Sequence, residues 1–496
     1  MKPGKKEYLL IGWSILLILV NVLWLVLDKN PPAWDQAAHL RGVVNTNLFL
    51  RGRFEGGFLG LLRSLWGYPP LIYFVGAFWS FISGIGVNQI TFLNTIFLIL
   101  AMWGVYKLAG NKVLPAILFS LFPVIYDISR NMLLDLALTV WVIWGLYFWL
   151  RKNDEKWLLM LILASLTKLN GFLYFLPMVL ISTIERFKEK GFWKKAIIGV
   201  FIYGIAVGWW WLLNWSAIYQ YLTGLAGQGE GLTDPMNLLS LTTWIHYLRL
   251  FFLQQIGPIV GVVFGISLLK VDFENEKNKK LLWWLLMTYV VFTIIKNKDF
   301  RFTMPILSVV AIYFGQGLLK IKKKWLIALV FGWMLFNYIE NSFNWPVRKP
   351  MVVSTPTFLM GDVNWIDFSD YPVREVRQNK WPNVEIINDL PNWKNSVLVV
   401  MNSAEINDNN LQLYRLILGK NEIEIHGIDR WGTMNFDYVL VPDLETESAP
   451  FYDVQLAKRK EIINEIWQKN SHDYKIVAEY VLPNKQGKVY LFKGSS

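Results

Sequence analysis

The sequence predicts a polytopic α-helical membrane protein, with roughly eleven transmembrane helices and one juxtamembrane helix, followed by a soluble α/β domain. Three observations predict it. The 496 residues are 54% hydrophobic and only 17% charged, too apolar for a single soluble globule. Apolar runs long enough to cross a bilayer recur between short loops rich in Lys and Arg. Near residue 345 the pattern changes, and charged and amide residues surround short β-like runs. The predicted division is a membrane domain over 1–344, with a first outer loop over 28–88, and an extracytoplasmic α/β domain over 345–496.

The first apolar run, Tyr8 to Leu27, follows the basic stretch Met1 to Lys6 and has no small-residue cleavage site, so it reads as a retained helix with a cytoplasmic N-terminus. The basic clusters Lys107 to Lys112, Arg151 to Lys156, Arg186 to Lys195, Lys270 to Lys280 and Lys320 to Lys324 all read as cytoplasmic. They delimit spans near 89–108, 112–128, 131–150, 157–168, 171–185, 194–214, 255–270, 281–297, 303–320 and 325–341. An odd number places the C-terminus outside, in a multi-pass protein of the plasma (inner) membrane. The run from Tyr68 to Gly86 would break this parity if it crossed, so it reads as a juxtamembrane helix opened by Pro69 and Pro70. An ordinary transmembrane helix is the alternative. The short spans 157–168 and 171–185 form a thin hairpin whose tip holds Lys168 and Asn170.

In the C-terminal part, β-like runs occur at 396–401, 436–441 and 474–480, with helical patterns at 409–418 and near 453–468. Asn484 to Gly487 reads as a turn leading into a strand at 489–492. The formal charge of +12 is confined largely to loops between apolar runs, which argues for membrane lipids and against nucleic acid as partners. The chain has no Cys, which excludes disulfides, thiolate metal sites and Cys nucleophiles.

The candidate chemistry gathers at helix boundaries on the outer side. Asp35 follows the first span, where a carboxylate can face a dry cavity and act as a general base; a helix N-cap is the competing reading. His39 lies one turn on and shares its helix face. Asp127, Arg130 and Asp135 form a second cluster, in which an Arg130–Asp135 or Lys168–Asp135 ion pair is the structural alternative. Lys168 is a cation in an apolar hairpin, where a lipid phosphate would account for it and snorkelling is the alternative. Lys296, Lys298 and Arg301 place three cations on the outer side against the charge bias, which argues for a bound anion. The glycine-rich stretch Gly224 to Gly231 reads as a mobile loop over an acceptor. No zinc spacing or phosphate-cradling glycine loop is present.

The order of these motifs resembles a known family. An outer-loop Asp after the first helix is followed by Tyr68-Pro-Pro-Leu71, Ser129-Arg-x-x-Leu-Leu-Asp135, Thr167-Lys-x-x-Gly171 and Lys298-x-x-Arg-Phe-x-x-Pro305. This resembles the C-superfamily (GT-C) glycosyltransferases, and within it the dolichyl-phosphate-mannose protein mannosyltransferases and their bacterial relatives, including the lipid A aminoarabinose transferases. The resemblance implies a GT-C-like membrane domain over about residues 8–341. It also implies a polyprenyl-monophosphate sugar donor, an inverting transfer on the extracytoplasmic side and Asp35 in the catalytic acid position. Arg130, Lys168 and Arg301 would be phosphate or active-site cations. Gln36 stands where protein mannosyltransferases commonly carry Glu, so a glycan or lipid acceptor is expected as readily as a protein. No cofactor is required by this chemistry, and a divalent cation is left open. A transporter or flippase of lipid-linked sugars is the rival reading.

Overall fold

A chain that must satisfy its backbone polar groups inside hydrocarbon forms helices, and the long apolar runs do so here. The computed structural model describes residues 4–494 except 66, 217, 220–236, 296, 322, 346–351, 355–361, 365–375, 447–454, 469–473 and 484–485. Lys296, the Gly224–Gly231 stretch and part of the 484–487 turn lie outside the described residues. The helices are α1 (Lys5–Leu27), α2 (Trp34–Leu50), α3 (Gly57–Ser64), α4 (Leu71–Ser83), α5 (Val87–Leu108), α6 (Val113–Ser120), α7 (Pro123–Ile128), α8 (Asp135–Leu150), α9 (Asp154–Ser165), α10 (Leu176–Arg186) and α11 (Phe192–Leu213). They continue with α12 (Leu241–Leu250), α13 (Pro258–Leu268), α14 (Glu276–Ile294), α15 (Leu307–Ile321) and α16 (Lys324–Phe343).

Among the described residues, five helical segments are long and apolar enough to cross a membrane: Lys5–Leu27, Val87–Leu108, Phe192–Leu213, Phe300–Ile321 and Lys324–Phe343. A sixth is reached if Leu241–Gln255 and Pro258–Leu268, bent by 117°, count as one broken span. The chain is a multi-pass membrane protein. The predicted spans at α8, α9 and α10 are helical but short, with 16, 12 and 11 residues, while α14 is a 19-residue helix. α4 has 13 residues, about 20 Å of helix against a hydrocarbon core of about 30 Å, too short to cross.

Two predicted spans are corrected. The segment 112–128 is not one helix: it breaks between Ser120 and Pro123, because Pro123 has no N–H to continue the ladder and its ring crowds the preceding turn. The segment 255–270 begins as a sharp bend. Gly257 adopts φ 86, a conformation that favours glycine, and Pro258 then opens α13. Helix α12, before the bend, was not anticipated.

The C-terminal strands form a five-stranded mixed sheet. Its strands are β3 (Asn395–Val399), β4 (Ile423–His426), β5 (Tyr438–Pro442), β6 (Tyr474–Val481) and β7 (Lys488–Gly494), after a separate two-stranded pair of β1 (Val352–Ser354) and β2 (Asp362–Asn364). The sheet order is β4-β3-β5-β7-β6, with β3 parallel to β4 and β5, and β7 antiparallel to β5 and β6. Successive residues point to opposite faces, so Val397, Val399 and Leu440 pack with Ile386, Ile387 and Leu411, while Leu398, Val439 and Val441 pack with Ile462, Ile463 and Ile466. The helices α17 (Asn383–Asp389) and α18 (Asp408–Ile417) thus cover one face and α19 (Leu456–Gln468) the other.

The chain forms two compact units. One comprises Met1–Leu25, Leu62–Ile72 and Phe92–Val376; the other comprises Val26–Leu61, Tyr73–Thr91 and Arg377–Ser496. Most of the first outer loop, 28–61 and 73–88, therefore folds with the C-terminal sheet.

Candidate functional site

In the second unit, Asp35 is exposed in the first turn of α2. The N-cap is Ala33, in extended conformation and without a side-chain cap, so Asp35 does not occupy the capping position. His39 is buried, and its Nδ1 lies 2.9 Å from the Tyr73 hydroxyl on α4, where the tautomer decides which atom donates. Asn47 donates to Ser80 Oγ at 2.7 Å, a further tie between these helices. Arg41 is also buried and donates to Gln412 on α18.

In the first unit, the hairpin tip places Lys168 Nζ 2.7 Å from Asp135 Oδ1, in the first turn of α8. The ion pair weighed from the sequence therefore forms, between Lys168 and Asp135. The ammonium also lies 4.8 Å from the centre of the Phe302 ring. The turn requires glycine at 171 because a Cβ there would come within 2.2 Å of the Ala164 carbonyl oxygen. Thr167 helps close the tip: its hydroxyl donates to the Leu163 carbonyl at 2.7 Å and accepts from Trp141 Nε1 at 3.0 Å.

The segment after α14 borders the same region. Asp299 caps the 3₁₀ turn Phe300–Ile306 by accepting from the Arg301 backbone N–H at 2.8 Å, and its other oxygen accepts from Arg301 Nε at 2.8 Å. Lys298 is buried and donates to the Thr293 carbonyl at 3.0 Å and to the Ile295 carbonyl. Tyr174, next to the hairpin tip, donates to the Phe302 carbonyl, and Gln255 donates to Thr303 Oγ1 at 2.7 Å. Asn297 is 2% exposed, yet neither atom of its amide has a hydrogen-bond partner among the described residues. A buried amide with neither atom bonded, next to Lys298 in the chain, is a place where a polar ligand atom would be favourable.

Arg130 is 2% exposed. Its Nε donates to Asn21 Oδ1 at 2.9 Å and its Nη1 to Ser342 Oγ at 2.6 Å, while the rings of Trp24, Tyr126 and Tyr338 lie 5.6, 5.4 and 5.0 Å from the guanidinium. It ties α1, α7 and α16. Asp127 is buried and accepts from Asn131 Nδ2 at 3.2 Å. Asn21 also donates to Ser129 Oγ at 2.8 Å, and Asn94 to the Leu133 carbonyl at 2.9 Å. The sequence reading missed these two asparagines, although an amide inside a long apolar run is itself a signal because it is costly in hydrocarbon unless bonded. Among the described residues no three His, Asp or Glu side chains gather as metal ligands.

No family model matches the chain, and no curated protein does either. Solved structures do match, among them ArnT from Cupriavidus metallidurans bound to undecaprenyl phosphate and the same protein in the apo state. The first superposes with a TM-score of 0.56 at 13% identity and covers 98% of both chains. The second gives 0.55 at 13% identity, over 97% of this chain and 98% of the other. The chain has the ArnT fold. The likeness extends over nearly the full length of both chains. The helical membrane part and C-terminal α/β domain expected from the sequence are thus the architecture found.

Proposed function

We propose that this protein is an integral-membrane glycosyltransferase that moves a sugar from a polyprenyl-monophosphate donor to a nucleophile on a glycan, lipid or protein at the extracytoplasmic face. The observation that carries the reading is the fold shared over 98% of both chains with a structure of ArnT that holds undecaprenyl phosphate. The polar clusters support it. In this reading Asp35, exposed on α2, removes the proton from the acceptor. The acceptor atom then bonds the anomeric carbon as the bond from that carbon to the phosphate oxygen breaks, which inverts the centre and releases the polyprenyl phosphate. Lys168, Lys298 and Arg301, with Lys296, carry the charge that develops on the leaving phosphate, which is worth most in a site of low dielectric. His39, through Tyr73, and Arg130, Asp127 and Asp135, through the contacts above, support the surrounding helices.

The test uses membranes whose polyprenyl-phosphate-linked sugars carry a radioactive label. The wild-type protein is expected to move label out of the lipid-linked pool. Asp35→Asn is expected to slow this by about 10²–10⁴-fold while undecaprenyl phosphate still binds; undiminished release by the variant would rule out the base. Movement of intact lipid-linked sugar across the membrane, with no cleavage, would favour the flippase reading instead.

A further inference from the structure

Beyond its ties to α4, the helix that carries Asp35 is approached at its N-terminal end by the chain from 377 onward. Its N-cap, Ala33, supplies no side-chain hydrogen bond, and the residues before it include Pro31 and Pro32, which lack N–H donors. The chain from 377 onward adds a set of contacts around it. Gln378 Nε2 donates to the Leu27 carbonyl at 2.8 Å, the Arg377 N–H donates to Asp28 Oδ1 at 2.9 Å, and the Lys29 N–H donates to the Arg377 carbonyl at 2.8 Å. Asn410 Nδ2 donates to the Pro32 carbonyl, Trp34 Nε1 donates to Asn402 Oδ1 at 3.1 Å, and Arg41 donates to Gln412. These partners bracket Asp35 on both sides along the chain. Asn410 is fully buried and Arg41 is 5% exposed, so severing the contacts would strand polar groups away from water.

Asn410 and Gln412 lie on α18, whose Leu411 and Leu413 are fully buried, Leu411 within the sheet core. A helix seated on a sheet is a rigid platform, and a functional group is held most accurately when its support is packed in this way. We propose that the soluble domain is the template for the Asp35 helix, with Asn410, Asn402 and Gln412 as positioning residues for the transfer reaction. The proposal rests on the function above and gives the C-terminal domain its role in it: the domain sets where the base stands, and the residues themselves touch neither donor nor acceptor.

The test uses the full-length protein in lipid nanodiscs. Trp34→Phe removes one donor and keeps the ring, Gln412→Leu removes the Arg41 acceptor, and Gln412→Glu keeps an acceptor there. Trp34→Phe and Gln412→Leu are expected to slow label release by about 10- to 100-fold, since misplacement by about 1 Å costs that much. Binding of undecaprenyl phosphate should be unchanged in both, amide exchange should accelerate over residues 34–41, and Gln412→Glu should restore release. Wild-type release and exchange in Trp34→Phe and Gln412→Leu, with release lost in Asp35→Asn, would overturn the positioning role and leave the base assignment standing. Undiminished release in Asp35→Asn would overturn both.

Discussion

Lys168 Nζ lies 2.7 Å from Asp135 Oδ1, joining the tip of the α9–α10 hairpin to the first turn of α8. Both side chains are nearly buried, at 13% and 5% exposure, so neither charge has bulk water as an alternative partner. Asp135→Asn or Lys168→Met alone should destabilise the protein by about 3–5 kcal/mol, because each leaves one buried charge uncompensated. The double variant Lys168→Met/Asp135→Leu should recover most of that loss in a thermal melt. It should not recover undecaprenyl phosphate binding if Lys168 is a donor cation; recovery of both would reduce the pair to scaffolding.

Gly171 admits the Ala164 carbonyl where a side chain would collide with it. Gly171→Ala is expected to cost about 1–3 kcal/mol by overpacking against backbone that cannot rotate away. Because the same turn aims Lys168, phosphate binding should weaken in this variant, as read by displacement of a labelled lipid phosphate.

Arg130 uses its planar group both for hydrogen bonds to Asn21 and Ser342 and for three aromatic contacts. A lysine cannot reproduce that geometry. Arg130→Lys should lower stability by about 2 kcal/mol, from one or two weakened hydrogen bonds and the lost ring contacts. Phosphate affinity per folded molecule should stay at the wild-type level, and a large fall at unchanged melting temperature would assign Arg130 to the donor instead.

Asp408 begins the helix that meets α2. Burial pushes its carboxyl above the ordinary value of 3.8, while Arg41 and Arg459 pull it back. The folded state therefore holds the proton more tightly than the unfolded chain does. The stability this contributes is complete below 3.8 and is lost as pH rises through the raised value. Burial also lowers Arg41, to about 10, which leaves it charged at neutral pH. Between wild type and Asp408→Asn, the difference in melting temperature should grow in favour of the variant as pH rises from about 4 towards neutrality. A difference that does not vary with pH would show that Asp408 carries no such cost.

Much of the fold was legible because it is written in local pattern. Apolar runs marked α1, α5, α11 and α16 to within a few residues, short β-like runs marked β3, β5 and β6, and a turn signal marked β7. The strand Ile423–His426 was missed because four residues with Glu424 and His426 among them carry too short a pattern to read. Pro123 and Pro258 stand where the helices break, yet hydropathy alone ran across both. At the site, residue types and their order pointed to an acid and a set of cations, but pairing was not readable: Arg130 and Lys168 were both candidates for Asp135, and only the structure assigns Lys168.

The amino-acid order by itself determined a multi-pass helical chain with a sheet domain behind it, since hydrophobic period and loop charge act over tens of residues at most. Only tertiary structure decided that the Asp35 helix is held by residues 377–412, and that the polar groups of apolar helices satisfy one another at Arg130 and Lys168. Those contacts join positions up to 378 apart in the chain. Asn410 has a fixed place from which to reach Pro32 because its helix is packed on the sheet, a placement no local pattern encodes.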